Sequence, residues 1–338
     1  MKKVLVTGGT GYIGSHTVLA LLEQGYEPII YDNLSNSSKS VLPRLETLAG
    51  QKLSLIEGDV QNVDLLSQTF EQHDIDTVIH FAGLKAVGES VEQPLRYYQN
   101  NVHGSLQLFR VMAEHECKRI VFSSSATVYG DPASVPIKEN FPLSATNPYG
   151  QSKLMVEDIL RDLSVSDDEW QISILRYFNP VSAHPSGLIG EDPNGIPNNL
   201  MPYIAQVGVG KLKQLSVWGN DYDTPDGTGV RDYIHVVDLA NAHLKALQAL
   251  NSQHACKAYN IGTGQGYSVL EMLAAFERAS GVEIPYEIKA RRSGDIATCY
   301  ADPSNSKTSL GWQAEFDLDR MMQDHWRWQS NNPDGYAD

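Results

Sequence analysis

The segment Thr7-Gly8-Gly9-Thr10-Gly11-Tyr12-Ile13-Gly14 follows at once on a short apolar run at residues 4–6 and leads into a helix-like stretch at 15–24. Glycines at 8, 11 and 14 let a backbone turn tightly, approach a pyrophosphate and pack a helix onto a strand. Phosphates would then meet the free N–H groups and the positive dipole end of that helix. The spacing is GxxGxxG and not GxGxxG, so its force lies in the strand–turn–helix context. The bland alternative is a glycine-rich turn without a ligand. The fuller reading is a dinucleotide held at the first turn of a parallel α/β fold.

The same alternation continues through the first half. Further apolar or β-branched runs occur at 29–31, 53–56, 77–81, 120–122 and 172–177, with helix-like stretches at 63–72, 95–113 and 149–163. Runs apolar on both faces and separated by helices predict a parallel sheet covered on both sides. After Phe178 the texture changes. Residues 179–200 carry four prolines and three glycines and predict a long irregular segment. A helix over 238–250, a run at 259–261 and a helix over 269–279 follow. The fold class is therefore read as α/β. A Rossmann-like, doubly wound parallel sheet occupies residues 1–180, and a smaller C-terminal α/β substrate domain occupies most of 181–338, with room for some of its elements to return to the first sheet.

Charge narrows the partners. The formal net charge of −15 repels polyphosphate at long range and argues against nucleic acid. A small anionic substrate would need arginines held locally in a pocket, and Arg291-Arg292 is an adjacent basic pair. Cys117, Cys256 and Cys299 are too far apart for a CxxC site or a disulfide framework and suit a reducing compartment. The apolar run after Met1-Lys2-Lys3 spans only 4–6, too short for a signal-peptide core or a membrane span. The expectation is a cytoplasmic protein with no metal, no membrane and no nucleic-acid partner.

Asp32 ends the second run, about 20 residues beyond the glycines, where a ribose-binding acid belongs. It would accept both ribose hydroxyls and repel a 2′-phosphate. With Lys39 as the closest cation, NAD is favoured over NADP. Tyr149 and Lys153 stand four apart, on one face if their stretch is helical. A free phenol has a pKa near 10, and a nearby ammonium together with a positive nicotinamide ring would favour the phenolate. Tyr149 could then take a proton from a sugar hydroxyl. On its own this pair is weak, because about one such spacing is expected by chance. Ser125, in Ser123-Ser124-Ser125-Ala126-Thr127-Val128-Tyr129-Gly130 after a strand, could hold the reacting oxygen beside Tyr149.

Glycine loop, acid, serine loop and YxxxK occur in the order of the extended short-chain dehydrogenase/reductase family. Longer strings resemble the UDP-glucose 4-epimerases within it. They are 81–90 (Phe-Ala-Gly-Leu-Lys-Ala-Val-Gly-Glu-Ser), Arg176-Tyr177-Phe178-Asn179-Pro180, Gly190-Glu191-Asp192-Pro193, 196–202 (Ile-Pro-Asn-Asn-Leu-Met-Pro) and 231–236 (Arg-Asp-Tyr-Ile-His-Val). Together they cover nearly the whole chain.

The resemblance implies Tyr149 as catalytic base, Lys153 as its electrostatic partner and nicotinamide-ribose ligand, and Ser125 as the hydroxyl-binding serine. Beside Gly8, Gly11 and Gly14, it implies NAD contacts from Tyr12, Ile13, Asp32, Asn33, Asn36, Ser37, Asp59, Val60, Phe81, Lys85, Asn100 and Phe178. It implies uridine-diphosphate and sugar contacts from Asn179, Asn199, Leu200, Trp218, Arg231, Tyr233, Arg292 and Asp295. Arg231 and Arg292 would reconcile an acidic protein with a diphosphate, since a guanidinium fork grips one locally. The implied reaction inverts C4 of UDP-galactose/UDP-glucose through a 4-keto sugar, with NAD retained. A homodimer through the helices at 95–113 and 149–163 is also implied.

Cys299 stands where many bacterial relatives carry tyrosine, so an N-acetylated pair, UDP-GalNAc/UDP-GlcNAc, is expected to fit too. Trp218 or Tyr300 filling the vacated space is the alternative. UDP-N-acetylglucosamine 4-epimerisation as the main activity, or a non-catalytic NAD-binding sensor, remain as other readings. A sugar-nucleotide 4,6-dehydratase would need an Asp-Glu pair where Ala126-Thr127 stand.

Overall fold

Sheet strands that are apolar on both faces must be covered on both, and in this chain helices cover them. The computed structural model describes residues 2–193, 197, 199–252, 255–292 and 294–336. Ile196 and Asn198 of the quoted strings lie outside the described residues. In chain order the strands are β1 (Lys3–Thr7), β2 (Glu27–Asp32), β3 (Leu55–Glu57), β4 (Thr77–His80), β5 (Arg119–Ser125), β6 (Gln171–Tyr177), β7 (Asn179–Val181), β8 (Leu215–Trp218), β9 (Val230–His235), β10 (Cys256–Ile261), β11 (Gly266–Ser268), β12 (Tyr286–Lys289) and β13 (Thr298–Cys299).

Seven strands form one sheet in the order β10-β6-β5-β4-β1-β2-β3, parallel throughout. Val6, Ile30, Ile79 and Val121 face the helices Tyr12–Glu23 and Val236–Ala249. Leu5, Tyr31, Val78 and Phe122 face Gly104–Glu114 and Pro148–Ser166. Neighbours such as Leu5 and Val6 serve opposite layers because side chains alternate along a strand. Each fully buried side chain of this kind contributes about 1.5–3 kcal/mol relative to exposure. The chain runs from β1 outward to β3, then returns to set β4 on the other side of β1. That reversal opens a crevice at the carboxyl ends of β1 and β4, where an open α/β sheet takes its ligand.

Strand β10 comes from the second half and joins the first sheet beside β6, with Tyr259 opposite Leu175. The second sheet is built on β9. It pairs antiparallel with β11 and parallel with β13 and β7, while β12 and β8 form a separate parallel pair. Helices Leu200–Gly208, Val269–Ser280 and Leu318–Asn331 close a core over it that includes Met201, Met272 and Met322. Ser268 and Glu271 form a reciprocal capping box that starts the middle helix.

Some expectations shift. Residues 95–113 are not one α-helix but Pro94–Tyr97, a π-helical segment Tyr98–His103 and Gly104–Glu114. The wide turn lets Asn101 reach inward, and such turns often occur at functional sites. Helices Val41–Ala49 and Val87–Glu92 escaped the sequence reading. The first is broken in pattern by Pro43 and the second is too short to show a period. Within 179–200, read as irregular, β7 pairs with β9 and Ala183 bridges Gly190.

Candidate active site

The glycine loop is shaped by what lies against it. Gly8 has φ 71°, and a Cβ there would sit 2.8 Å from the Ala82 nitrogen. A Cβ on Gly14 would lie 2.1 Å from the Gly8 carbonyl oxygen. Only hydrogen fits at either place, so the turn keeps its amides open to the crevice. Asp32, buried at the end of β2, ties the loop down. It accepts from the Thr10 amide at 3.1 Å, the Leu34 amide at 2.9 Å and the Ser37 hydroxyl at 3.1 Å. Lys39, the nearest cation in sequence, is ion-paired with Glu57.

The crevice is a cleft of about 560 Å³. Gly8, Gly11, Tyr12, Ile13, Gly14, Asp32, Asn33, Asn36, Ser37, Val60, Phe81, Lys85 and Asn100 line it, and so do Tyr149, Lys153 and Asn199. Asp59 flanks it, its carboxylate accepting from the Asn33 side chain at 2.8 Å and the Gln61 amide at 2.8 Å. Phe178 is buried beneath, with Ala126, Val128 and Ala301. A cradle that admits no Cβ and a buried acid at the end of the second strand fit a dinucleotide whose ribose keeps its 2′-hydroxyl.

Tyr149 and Lys153 ride on helix Pro148–Ser166. Asn147 caps it by accepting from the Gly150 amide at 2.9 Å, and Pro148 stands at its first position. Both side chains are buried. Burial raises the Tyr149 phenol above its ordinary pKa, and a hydrogen bond with Ser125 draws it back. Lys153 was expected to supply that second part; in the folded chain it falls to Ser125. Burial pushes Lys153 down to about 8, with Glu157 opposing. Its Nζ donates to the Ser123 carbonyl at 2.9 Å and lies 5.0 Å from the Phe122 ring centre. Ser125 ends β5, its Oγ accepting from the Thr127 amide at 3.2 Å.

Of the residues expected to meet the substrate, Asn179, Arg231, Tyr233 and Cys299 come together on β9 and its neighbours. Asn179 on β7 pairs with Tyr233, and Cys299 on β13 pairs with Arg231. Arg231 donates to the Val230 carbonyl at 2.8 Å. Tyr233 is buried and its phenol pushed up to about 12, with Arg231 opposing. Arg292 is half exposed and 3.0 Å from Asp295, and its guanidinium lies 5.8 Å from the Trp218 ring. Asn199 donates to Glu191 at 3.2 Å and stands before helix Leu200–Gly208. Ser293, beside Arg292, lies outside the described residues. Cys299 packs with Ala126, Val128, Phe178 and Ala301, and burial pushes its thiol up to about 11. The Tyr300 ring, just past the end of β13, lies against Gly266. Trp218 stands between Lys289 and Arg292.

Other residues of the site carried no assigned role in the sequence reading. Asn101 donates to the Leu84 carbonyl at 3.0 Å and Ser152 at 2.9 Å and accepts from the Leu84 amide at 2.8 Å. It thereby pins the loop bearing Lys85 to the helix bearing Tyr149. Glu191 is buried and pairs with Lys85 at 3.1 Å. Asp232 gathers the Thr263, Gly264 and Ala301 amides at 2.8–3.1 Å. Only their place inside the quoted strings marked Glu191 and Asp232, and Asn101 had no local signal.

Comparison with known proteins bears on these residues. The family model described as GDP-mannose 4,6 dehydratase matches residues 5–325. The chain is 61% identical over 333 residues to the UDP-glucose 4-epimerase of Bacillus subtilis, covering 98% of each. It is 59% identical over 337 residues to that of Dictyostelium discoideum, covering 99% of this chain and 98% of the relative. The crystal structure of UDP-glucose 4-epimerase from Bifidobacterium longum, in complex with NAD+ and UDP, superposes with a TM-score of 0.96 at 55% identity, covering 99% of this chain and 100% of that one. Ala126 and Thr127 lack the carboxyl groups a dehydratase would use, so the epimerase branch suits the site. The chain belongs to the UDP-glucose 4-epimerase family.

Proposed function

We propose that this protein is an isomerase that inverts C4 of UDP-galactose and UDP-glucose through a 4-keto sugar, with NAD as its cofactor. The carrying observation is that Tyr149, hydrogen-bonded with Ser125 and followed one turn later by Lys153, lines the same cleft as the glycine loop. NAD, when bound, supplies the acceptor and later the donor of the C4 hydride, so the cycle has no net redox change. Tyr149 takes the O4 proton while C4 is oxidised and gives it back when C4 is reduced. Ser125 holds the same oxygen. Lys153, one turn along the same helix and donating to the Ser123 carbonyl at 2.9 Å, is the ligand of the nicotinamide ribose.

In this reading residues 1–180 hold the dinucleotide. Residues 181–338 supply most of the UDP-sugar contacts, from Asn199, Leu200, Trp218, Arg231, Tyr233, Arg292 and Asp295, with Asn179 added from the end of the first segment. The two arginines grip the diphosphate and tether the sugar while its 4-keto form turns over. The protein works in the cytoplasm as a homodimer. Supporting the dimer, Leu95 is 82% exposed and lines a shallow apolar hollow with Tyr98, Val102 and Met155.

The test is conversion of UDP-galactose to UDP-glucose by purified protein with no NAD added. Turnover with about one dinucleotide per chain in the deproteinised extract is expected. Protein that is empty of NAD, or holds it without converting the sugar, overturns the reading.

The small side chain of Cys299, on the strand next to Arg231, favours a second activity, interconversion of UDP-GalNAc and UDP-GlcNAc. Cys299→Tyr should lose this activity and keep the unsubstituted pair. An acetamido activity unchanged in that variant would show that Cys299 is no gate.

A further inference from the structure

We propose that Lys85 and Glu191 latch the cofactor cleft and that Tyr336 positions the latch, so that these residues set how fast NAD leaves and enters. This rests on the assignment of NAD to the cleft above. Three stretches of the chain meet there. Lys85 stands on the loop after β4, Glu191 with Asp192 and Pro193 on the segment after β7, and Tyr336 beyond helix Leu318–Asn331.

Lys85 and Glu191 join two walls of the cleft. Lys85 Nζ lies 3.1 Å from Glu191 Oε1, with the Glu191 side chain 3% exposed and that of Lys85 46%. The same Oε1 accepts from the Asn199 side chain at 3.2 Å. The buried Oε2 has no hydrogen-bond partner among the described residues. A pure clamp would use both oxygens, and a buried oxygen left free is the exception in folded chains. A pair with one end half in water adds little to stability, so it can part without unfolding either wall.

The Glu191 end is fixed from behind. The Gly190 amide donates to the Tyr336 hydroxyl at 3.0 Å, and that hydroxyl donates to the Gly190 carbonyl at 3.0 Å. Trp328 Nε1 donates to the Glu191 carbonyl at 3.2 Å, and the Tyr336 amide to the Asp192 carboxylate at 2.8 Å. A Cβ on Gly190 would lie 2.4 Å from the Trp328 ring, so wall and helix are packed to backbone contact. The ring centres of Trp328 and Tyr336 are 4.8 Å apart. Arg44, on helix Val41–Ala49 of the cofactor half, reaches over both rings at 5.4 and 4.9 Å and donates to the Leu188 carbonyl at 3.1 Å. The backbone at 188–192 is thereby held on its far side, and Tyr336 grips the residues before and after Glu191.

A ligand enclosed by two walls leaves when they part, and the rate of parting limits both release and entry. Loosening a latch therefore speeds both, and affinity changes less than either rate. Losing an ordinary contact speeds release and leaves entry alone. Removing a carboxylate that merely repelled the phosphates would slow release.

The experiment is exchange of bound NAD for labelled NAD in the holoenzyme, with the free NAD concentration at half occupancy read by equilibrium dialysis. It compares the native protein with Glu191→Gln, Tyr336→Phe and the double variant, at a temperature well below the melting of each. Both substitutions keep the side-chain shape, and Tyr336→Phe keeps its ring against Trp328 and Arg44. Each single variant should exchange NAD about tenfold faster, with half occupancy moved less than about threefold. The double variant should match the faster single one, because both act on one latch. Exchange that is unchanged or slower in Glu191→Gln overturns the proposal. So does faster exchange with affinity lost by the same factor, or a double variant in which the two effects multiply. Unchanged exchange in Tyr336→Phe removes its positioning role. Should that variant fail to fold, Glu191→Gln decides alone, since its partner Lys85 is half in water. Native protein that binds no NAD defeats the assignment of the cleft itself. Native protein that holds NAD, with exchange unmoved in Glu191→Gln, defeats only the latch.

Discussion

The two sides of the cleft are made differently. On the cofactor side the shape is a backbone shape. Gly8 and Gly14 stand where no Cβ fits, and Asp32 spends its carboxylate on loop amides and a hydroxyl as well as facing the crevice. On the substrate side the shape comes from side chains projected by short strands around β9, and Arg292 remains 54% exposed. A backbone cradle tolerates almost no substitution. A fringe of separate side chains can lose one member and still assemble. The first side should therefore fail as a unit and the second in increments.

The boundary between the two sides gives the largest expected effect. Tyr149→Phe removes one hydroxyl and leaves the ring, so NAD content should hold while turnover falls by roughly 10²–10⁴-fold, the usual worth of a positioned acid–base group. Single-turnover rates read it, and a loss below tenfold would place the base elsewhere. Gly14→Ala tests the cradle next. With the new methyl 2.1 Å from a carbonyl oxygen, retained NAD should drop from about one per chain to a small fraction, and full occupancy would break the backbone argument. Arg292→Met tests the fringe. Loss of one charge-assisted contact of about 1.5–3 kcal/mol should raise KM for UDP-galactose tenfold to a hundredfold with NAD content unchanged. If this variant also loses its cofactor, the two sides are not independent.

The smallest effect is on acid stability. Burial pushes His16 and His80 down to about 3, and His243 and His325 to about 4. Each is neutral when folded but binds a proton below about 6.5 when unfolded, so the unfolded state carries more protons there. The stability these residues contribute is complete above about pH 6.5 and is lost as pH falls towards 3–4. His16, on helix Tyr12–Glu23, His80, on β4, and His243, on Val236–Ala249, belong to the first sheet and its flanking helices. Hydrogen exchange at mildly acid pH should accordingly open these elements before the core over β9. Equal loss on both sides would erase that contrast.

How much was legible follows the same division. The glycine spacing, Asp32 and the run of strands announced the cofactor side from the chain alone, because local backbone demands leave local marks. The YxxxK spacing named Tyr149 and Lys153, since four residues make one helical turn. Partners that meet through tertiary contact left no such mark. Asn101 became visible only through the π-helical segment, Glu157 and Arg176 only as a pair 19 residues apart in sequence, and β10 only when it was found beside β6. The facing of Cys299 was likewise open until the pairing of β13 with β9 set it. Periodicity and turn chemistry act over a few residues and can be read in order along the chain. Which buried charge meets which, and which way a two-residue strand faces, depends on surfaces that exist only once the sheets have packed.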